Sequence, residues 1–143
     1  MEELGKLFRE INDKCMKYEA NIAKKYKLTL VESRSIKAFS SVDEMIKMKD
    51  LAKRMELAES RITRLIDSLV NKGFITRQIC EDDRRVILLK LTEDGAKVYN
   101  ELTESCDNLW NGIWSKIPDD LKPSLIKDLK SVSESLNKIN LDI

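Results

Sequence analysis

Apolar residues recur at three- and four-residue steps over most of this chain and change to continuous runs in only a few places. From Glu2 to about Lys25 the positions Leu4, Leu7, Phe8, Ile11, Cys15, Tyr18 and Ile22 form one stripe, which predicts a long amphipathic helix. At roughly 1.5 Å per residue it extends about 35 Å, more than a small domain can cover, so part of its stripe is expected to meet another chain. Leu28-Thr29-Leu30-Val31-Glu32 opens a second helix, with Thr29 as N-cap and Glu32 three residues later completing a capping box. Val31, Ile36 and Phe39 supply its core side, and it is expected to end near Ser40-Ser41. Met45-Ile46-Lys47 reads as a short extended piece, a third edge strand for the hairpin further on.

The stretch from Met48 to Leu91 organises the rest. It reads as a short helix (Met48 to Met55), a turn, and a second helix (Ser60 to Asn71) with Ile62, Leu65, Ile66, Leu69 and Val70 on one face. Ser60, Arg61, Thr63, Arg64 and Ser68 remain outward, a hydrogen-bonding and cationic set suited to the floor of a DNA major groove. Ser60 is placed to cap this helix or to meet a phosphate at its start. Gly73 fits the position just past the helix end, where positive φ is needed. Two strand-like runs, Phe74 to Ile79 and Val86 to Leu91, flank the charged tip Cys80-Glu81-Asp82-Asp83-Arg84-Arg85. The second run is almost continuously apolar and should be covered on both faces near its end. Thr92 caps a fifth helix that runs from Glu93 into the region of Trp114. Ile117-Pro118-Asp119-Asp120 breaks the chain before a last helix reaching about Asn140, and Pro123 implies either a kinked first turn or a later start. Helix, turn, helix, β-hairpin is the layout of a winged helix-turn-helix. The fold class is therefore mainly α with a small β-hairpin: a winged helix-turn-helix domain plus a helical dimerisation platform.

A length of 143 residues with 42% apolar content suits one core. The net charge of +1 hides an uneven distribution. Residues 47–91 hold eleven Lys/Arg against seven Asp/Glu, whereas residues 92–143 hold six against ten. The positive surplus thus lies on the element shaped to enter a groove. The chain has no histidine, the commonest general base and metal ligand, and no glycine-rich phosphate loop, so neither an enzyme nor a metal or cofactor site is expected. Three widely spaced cysteines, Cys15, Cys80 and Cys106, indicate neither a disulfide framework nor zinc. No run approaches the roughly eighteen apolar residues of a membrane span, and the acidic start Met1-Glu2-Glu3 does not suit a secretory signal, so a soluble, cytoplasmic protein is expected.

The run Leu69-Val70-Asn71-Lys72-Gly73-Phe74-Ile75-Thr76-Arg77, followed by Asp83-Arg84-Arg85 and Val86-Ile87-Leu88-Leu89-Lys90-Leu91-Thr92-Glu93-Asp94-Gly95, resembles the wing signature of the MarR family of transcription regulators. Ser60-Arg61-Ile62-Thr63-Arg64-Leu65 is similar to that family's recognition-helix start, and Leu28-Thr29 opens the second helix as it does there. The resemblance implies a homodimer joined through its first and last helices, each subunit reading half of a pseudo-palindromic operator on double-stranded DNA. It implies three segments: residues 1–27 as an N-terminal dimerisation helix, 28–91 as the winged DNA-binding region, and 92–143 as the C-terminal platform helices. By position, Ser60, Arg61, Thr63 and Arg64 would face the major groove. Arg85 would enter the minor groove, with Asp83 holding it in place. It also implies a pocket for a small aromatic effector between platform and winged domain, for which Phe39, Tyr18 and Trp110 are the residues on offer. Two departures stand out: Lys47 precedes the third helix where the family carries Ser or Thr, and the wing tip lacks the usual prolines, leaving its rigidity open.

Each signal has a plainer reading. The polar helix face can be merely solvated, and Arg84 and Arg85 can serve only to keep a hairpin edge from aggregating. Lys72, Arg77 and Arg84 suit phosphate positioning better than base reading, and Lys49 and Lys53 can be solvated. Cys15 is the candidate redox residue, because one branch of the family senses organic hydroperoxide through a first-helix cysteine. In that branch the cysteine stands farther ahead of the Leu-Thr pair, and a cysteine on an apolar stripe also acts as a small hydrophobe. The competing function is a winged-helix protein-interaction module without DNA binding, for which the acidic C-terminal third leaves room.

Overall fold

A computed structural model describes residues 2–139. These form α1 (Glu2–Lys25), α2 (Leu30–Lys37), β1 (Met45–Lys47), α3 (Met48–Arg54), α4 (Glu59–Asn71), β2 (Ile75–Ile79), β3 (Ile87–Leu91), α5 (Glu93–Lys116) and α6 (Lys122–Asn137). The architecture is the expected one, mainly α with a small antiparallel sheet. The chain divides into two compact units, Met1–Cys106 and Asp107–Ile143.

In the first unit β3 lies between β1 and β2, with Ile46 opposite Leu89, Ile75 opposite Leu91 and Ile79 opposite Ile87. The short piece at Met45 is thus the third strand. The central position of β3 explains its apolar run, for Leu89 and Leu91 are buried and Ile87 and Leu88 half-buried. The core gathers Ile36, Leu51, Ile62, Ile66, Leu69, Ile75, Leu89 and Val98, all essentially inaccessible to solvent. Each such side chain contributes about 1.5–3 kcal/mol of transfer free energy. The α4 stripe is realised, with Leu65 and Val70 half-buried at its margins.

Helix ends explain how three of these elements are joined. The amide of Leu28 bonds to the Ala23 carbonyl, that of Leu57 to Ala52, and that of Phe74 to Leu69, at 3.0, 2.9 and 3.0 Å. In each case the preceding residue has positive φ: Lys27 at 55°, Glu56 at 54° and Gly73 at 81°. This is the Schellman stop, and the residue after the left-handed one packs against the core each time.

The α2 capping box forms as expected: the Glu32 amide donates to Thr29 Oγ1 at 3.2 Å, and the Thr29 amide donates to Glu32 Oε2 at 2.7 Å. The helix ends at Lys37, short of Ser40, and its buried face takes in Ile36 and Phe39 as expected but not Val31. Val31 is exposed, while Glu32, Ser33 and Ser35 are buried alongside Ile36 and Phe39. Burial of the serines is possible because their hydroxyls donate to the Leu30 and Val31 carbonyls, both at 2.9 Å.

Thr92 caps α5 as expected, accepting the Gly95 amide at 3.0 Å. In the second unit α6 starts at Lys122, so Pro123 falls in the first turn, where its missing N–H is not needed. The later start, not a kink, resolves that expectation. The expected end of this helix at Asn140 lies outside the described residues. No α6 residue is buried within its unit, and Trp110, Trp114, Leu129 and Leu136 are exposed.

Candidate nucleic-acid interface

The candidate surface is built on the start of α4, the length of α3 and the wing between β2 and β3. The α4 N-cap is Ala58, which carries no side-chain acceptor. Ser60 is therefore not the cap but lies inside the first turn, exposed to solvent. The first amides of α4 keep no capping side chain, the condition under which a helix start attracts an anion. Arg61 and Arg64 are exposed, and neither side chain makes an ion pair or hydrogen bond among the described residues. Thr63 is exposed as well, its hydroxyl donating to the Glu59 carbonyl at 2.8 Å.

Thr63 also borders an open cleft of about 460 Å³, whose polar lining is Lys47, Lys49, Asp50 and Lys53, Glu59, and Arg85 of the wing. The sequence left Lys49 and Lys53 as solvated charges; the fold gathers them with Arg85 around one space. Lys47, the departure before α3, makes no side-chain cap bond, so the local cap is lost as its identity implied. The two wing arginines diverge. Arg85 borders this cleft, whereas Arg84 lies beside Ile79, Cys80 and Glu81 in a separate hollow.

Asp83 does not grip the Arg85 side chain. Its Oδ1 accepts the backbone amide of Arg85 at 3.0 Å, and its carbonyl accepts the Val86 amide at 2.9 Å. The Cys80 amide closes the tip on the Val86 carbonyl at 2.9 Å. A short carboxylate two residues ahead suits this local turn better than an ion pair.

Ser68, Lys72 and Arg77 hold partners within the fold. The Ser68 hydroxyl donates to Glu32 Oε1 at 2.6 Å, and Lys72 Nζ reaches the two carboxylate oxygens at 2.9 and 2.8 Å and the Lys27 carbonyl at 3.0 Å. Glu32 is buried. Burial alone would raise its pKa, but the bonds from Lys72, Ser68 and Thr29 outweigh that and lower it to about 2. Arg77 pairs with Asp67, which ties β2 to α4. The signal for Glu32 was its capping box, which explains one of its bonds but not the others.

Cys15 is half-buried on α1. Of the residues considered for an effector pocket, Phe39 is buried, the Tyr18 hydroxyl donates to the Ser105 carbonyl at 3.2 Å, and Trp110 in the second unit is 54% exposed. Among the described residues no group of three or more His, Cys, Asp or Glu could hold a metal ion, and no helix is long and apolar enough to cross a membrane.

A helix-turn-helix with a three-stranded wing and a cationic recognition-helix start defines the class of winged DNA-binding transcription regulators. A model of the MarR family matches residues 42–87. The chain is 37% identical over 59 residues to the uncharacterized HTH-type transcriptional regulator YfiV of Bacillus subtilis, covering 41% of this chain and 37% of YfiV. It is 30% identical over 109 residues to the HTH-type transcriptional regulator SarZ of Staphylococcus haemolyticus, covering 76% of this chain and 72% of SarZ. With the HTH-type transcriptional repressor YetL of Bacillus subtilis it shares 26% over 99 residues, 69% of this chain and 59% of YetL. The chain thus spans just over a third of YfiV and under two thirds of YetL, but more than two thirds of SarZ. The fold is similar to that of Streptococcus pneumoniae FabT in complex with DNA, with a TM-score of 0.86 at 18% identity over 96% of this chain and 97% of that one. This chain belongs to the MarR family, a DNA-binding transcription regulator and not an enzyme.

Proposed function

We propose that the chain is a homodimeric repressor that binds a pseudo-palindromic operator and leaves it when a small aromatic effector or an oxidant shifts the spacing of its two recognition helices. The carrying observation is the free cationic start of α4, where exposed Arg61 and Arg64 find no partner among the described residues while Arg85 borders the adjoining cleft. Ser60, Arg61, Thr63 and Arg64 read the major groove. Arg85 enters a narrow A·T-rich minor groove, whose negative potential attracts a guanidinium. Arg84 and the α3 lysines meet phosphate. YetL bears the name of a repressor, and the FabT structure holds DNA; both support this reading.

Residues 1–27 and 92–143 serve as the dimerisation platform around the DNA-binding region 28–91. Support comes from the exposed apolar side chains Leu4, Leu7, Phe8 and Ile11 on α1 and, separately, Trp110, Ile126, Leu129 and Leu136 on α5 and α6. Cys15, half-buried on α1, is the residue through which an oxidant would act. The cytoplasm is the compartment where such a regulator works.

The test is selection of bound duplexes from a random pool, followed by titration of variants. Arg64→Ala is expected to weaken binding by about 1–3 kcal/mol and to relax preference at one base position. Arg85→Ala is expected to weaken it mainly at flanking A·T positions. A uniform loss across sequences for Arg64→Ala would reduce that residue to a phosphate contact. Absence of any binding at low salt would favour the protein-interaction module instead.

A further inference from the structure

Arg61, Arg64, Ser68 and Lys72 follow one another at steps of three and four residues, so they lie along a single stripe of α4 and its C-cap. The stripe spans about 16 Å at 1.5 Å per residue. Its two halves differ in what they meet. The first half is exposed and unpaired among the described residues. The second is covered by the start of α2 and the turn before it, where Glu32 takes Ser68 and Lys72 at 2.6–2.9 Å and the Lys27 carbonyl takes the remaining Lys72 donor at 3.0 Å. With the Thr29 amide at 2.7 Å, the carboxylate sits among a hydroxyl, a backbone amide and an ammonium. That is the set of donors with which proteins hold a phosphate oxygen.

We propose that Glu32 is a positioning residue for DNA recognition: it stands in for a phosphate at the far end of the α4 stripe, holds the Lys72 charge off the nucleic acid, and so limits the contacting surface to the first turns. The inference rests on the reading of α4 as the recognition helix. It accounts for a stripe with four polar groups offering only two cations to DNA. It also assigns Glu32 a task that its capping box alone does not require. Lys72 has all three of its donors engaged, so a phosphate can recruit it only by stripping a buried carboxylate of its partner.

The experiment measures binding of the full chain to a random-sequence duplex and to a selected duplex across about 50–200 mM salt. Wild type is compared with Lys72→Gln, Glu32→Gln, the Glu32→Gln/Lys72→Gln double variant and Arg64→Ala. Lys72→Gln is expected to leave the slope of log affinity against log salt unchanged. Glu32→Gln is expected to steepen it by about 0.9, the increment for one added phosphate contact, or about 3.5-fold more affinity lost over that range. The double variant is expected to return to the wild-type slope. A role confined to folding would lower the active fraction without steepening the slope. A shallower slope for Lys72→Gln, or an unchanged slope for a folded Glu32→Gln, overturns the proposal. The Lys72 arm decides even if Glu32→Gln does not fold, because the Lys72 side chain is 35% exposed and glutamine there keeps an amide donor for the Glu32 carboxylate. Arg64→Ala separates the two readings: if it binds both duplexes as wild type does, the assignment of α4 fails, whatever the Glu32 variants do.

Discussion

Gly95 and Gly112 lie on the same helix, α5, and the structure predicts opposite outcomes for the same substitution. By helix propensity alone, alanine at either position should stabilise by about 1 kcal/mol. At Gly95, however, an added Cβ would stand 2.0 Å from the Phe74 carbonyl oxygen and 3.0 Å from its carbon. Relief requires movement of more than an ångström between α5 and the α4–β2 junction, because a carbon meets a carbonyl oxygen comfortably only near 3.3 Å. That carbonyl cannot withdraw freely. It accepts the Thr92 amide at 3.0 Å, while the Thr92 hydroxyl donates to the Gly73 carbonyl at 2.6 Å and accepts from Gly95 at 3.0 Å.

Overpacking of this kind costs about 1–3 kcal/mol, and a lost hydrogen bond adds about 0.5–1.5 kcal/mol. Set against the propensity gain, Gly95→Ala should destabilise by about 1–3 kcal/mol. Urea unfolding followed by far-ultraviolet circular dichroism, at fixed protein concentration, reads this as a fall in midpoint of roughly 1 M. At Gly112 nothing among the described residues outside its own stretch of helix lies within 4 Å of the added Cβ, so alanine there should raise stability by about 0.5–1 kcal/mol. A midpoint for Gly95→Ala equal to or above wild type would refute the close approach of α5 to Phe74. A loss at Gly112→Ala, by contrast, would report a neighbour supplied by a second copy.

Glu56→Gly, which relieves a left-handed residue in the turn between α3 and α4, should stabilise by about 1 kcal/mol; a loss would show that the Glu56 side chain does more than tolerate its φ of 54°. Ile11→Lys alters a side chain 54% exposed on α1, so it should leave the secondary structure intact yet convert the proposed dimer to monomer in sedimentation equilibrium; a monomeric wild type, or an undisturbed dimer, would remove α1 from the interface. For Glu32 the pKa falls from 4.5 to about 2 on folding, so its contribution is complete above pH 4.5 and is lost as pH falls from there towards 2. It is on the order of 3 kcal/mol, and Glu32→Gln should flatten the stability profile in that window; an equally steep acid loss in the variant would assign it to other groups.

The helix stops show why some of the fold was legible in the sequence and some was not. Gly73 announces its positive φ because glycine alone adopts it freely, whereas Lys27 and Glu56 make the same turn with side chains that carry no such mark. What the three share is the apolar residue that follows, Leu28, Leu57 or Phe74, whose burial draws the chain into the left-handed turn whichever residue occupies it. A signal of that kind depends on where the core lies, so it emerges only once the elements are packed.

The same dependence limits the reading of the candidate site. Helical period places Arg61, Arg64, Ser68 and Lys72 on one stripe but is silent on how far neighbouring segments cover it. The Glu32 carboxylate decides this, and local spacing marked that residue only as a cap. A polar side chain that satisfies a local rule can meet a distant demand as well, because a carboxylate has about four lone-pair sites and the cap uses only one. Arg77 and Asp67 repeat the lesson across α4 and β2. Cations that pattern alone assigns to DNA are divided by the fold into those left free and those already neutralised. The count of free cations, not the total charge of the segment, is what the salt dependence of binding reports.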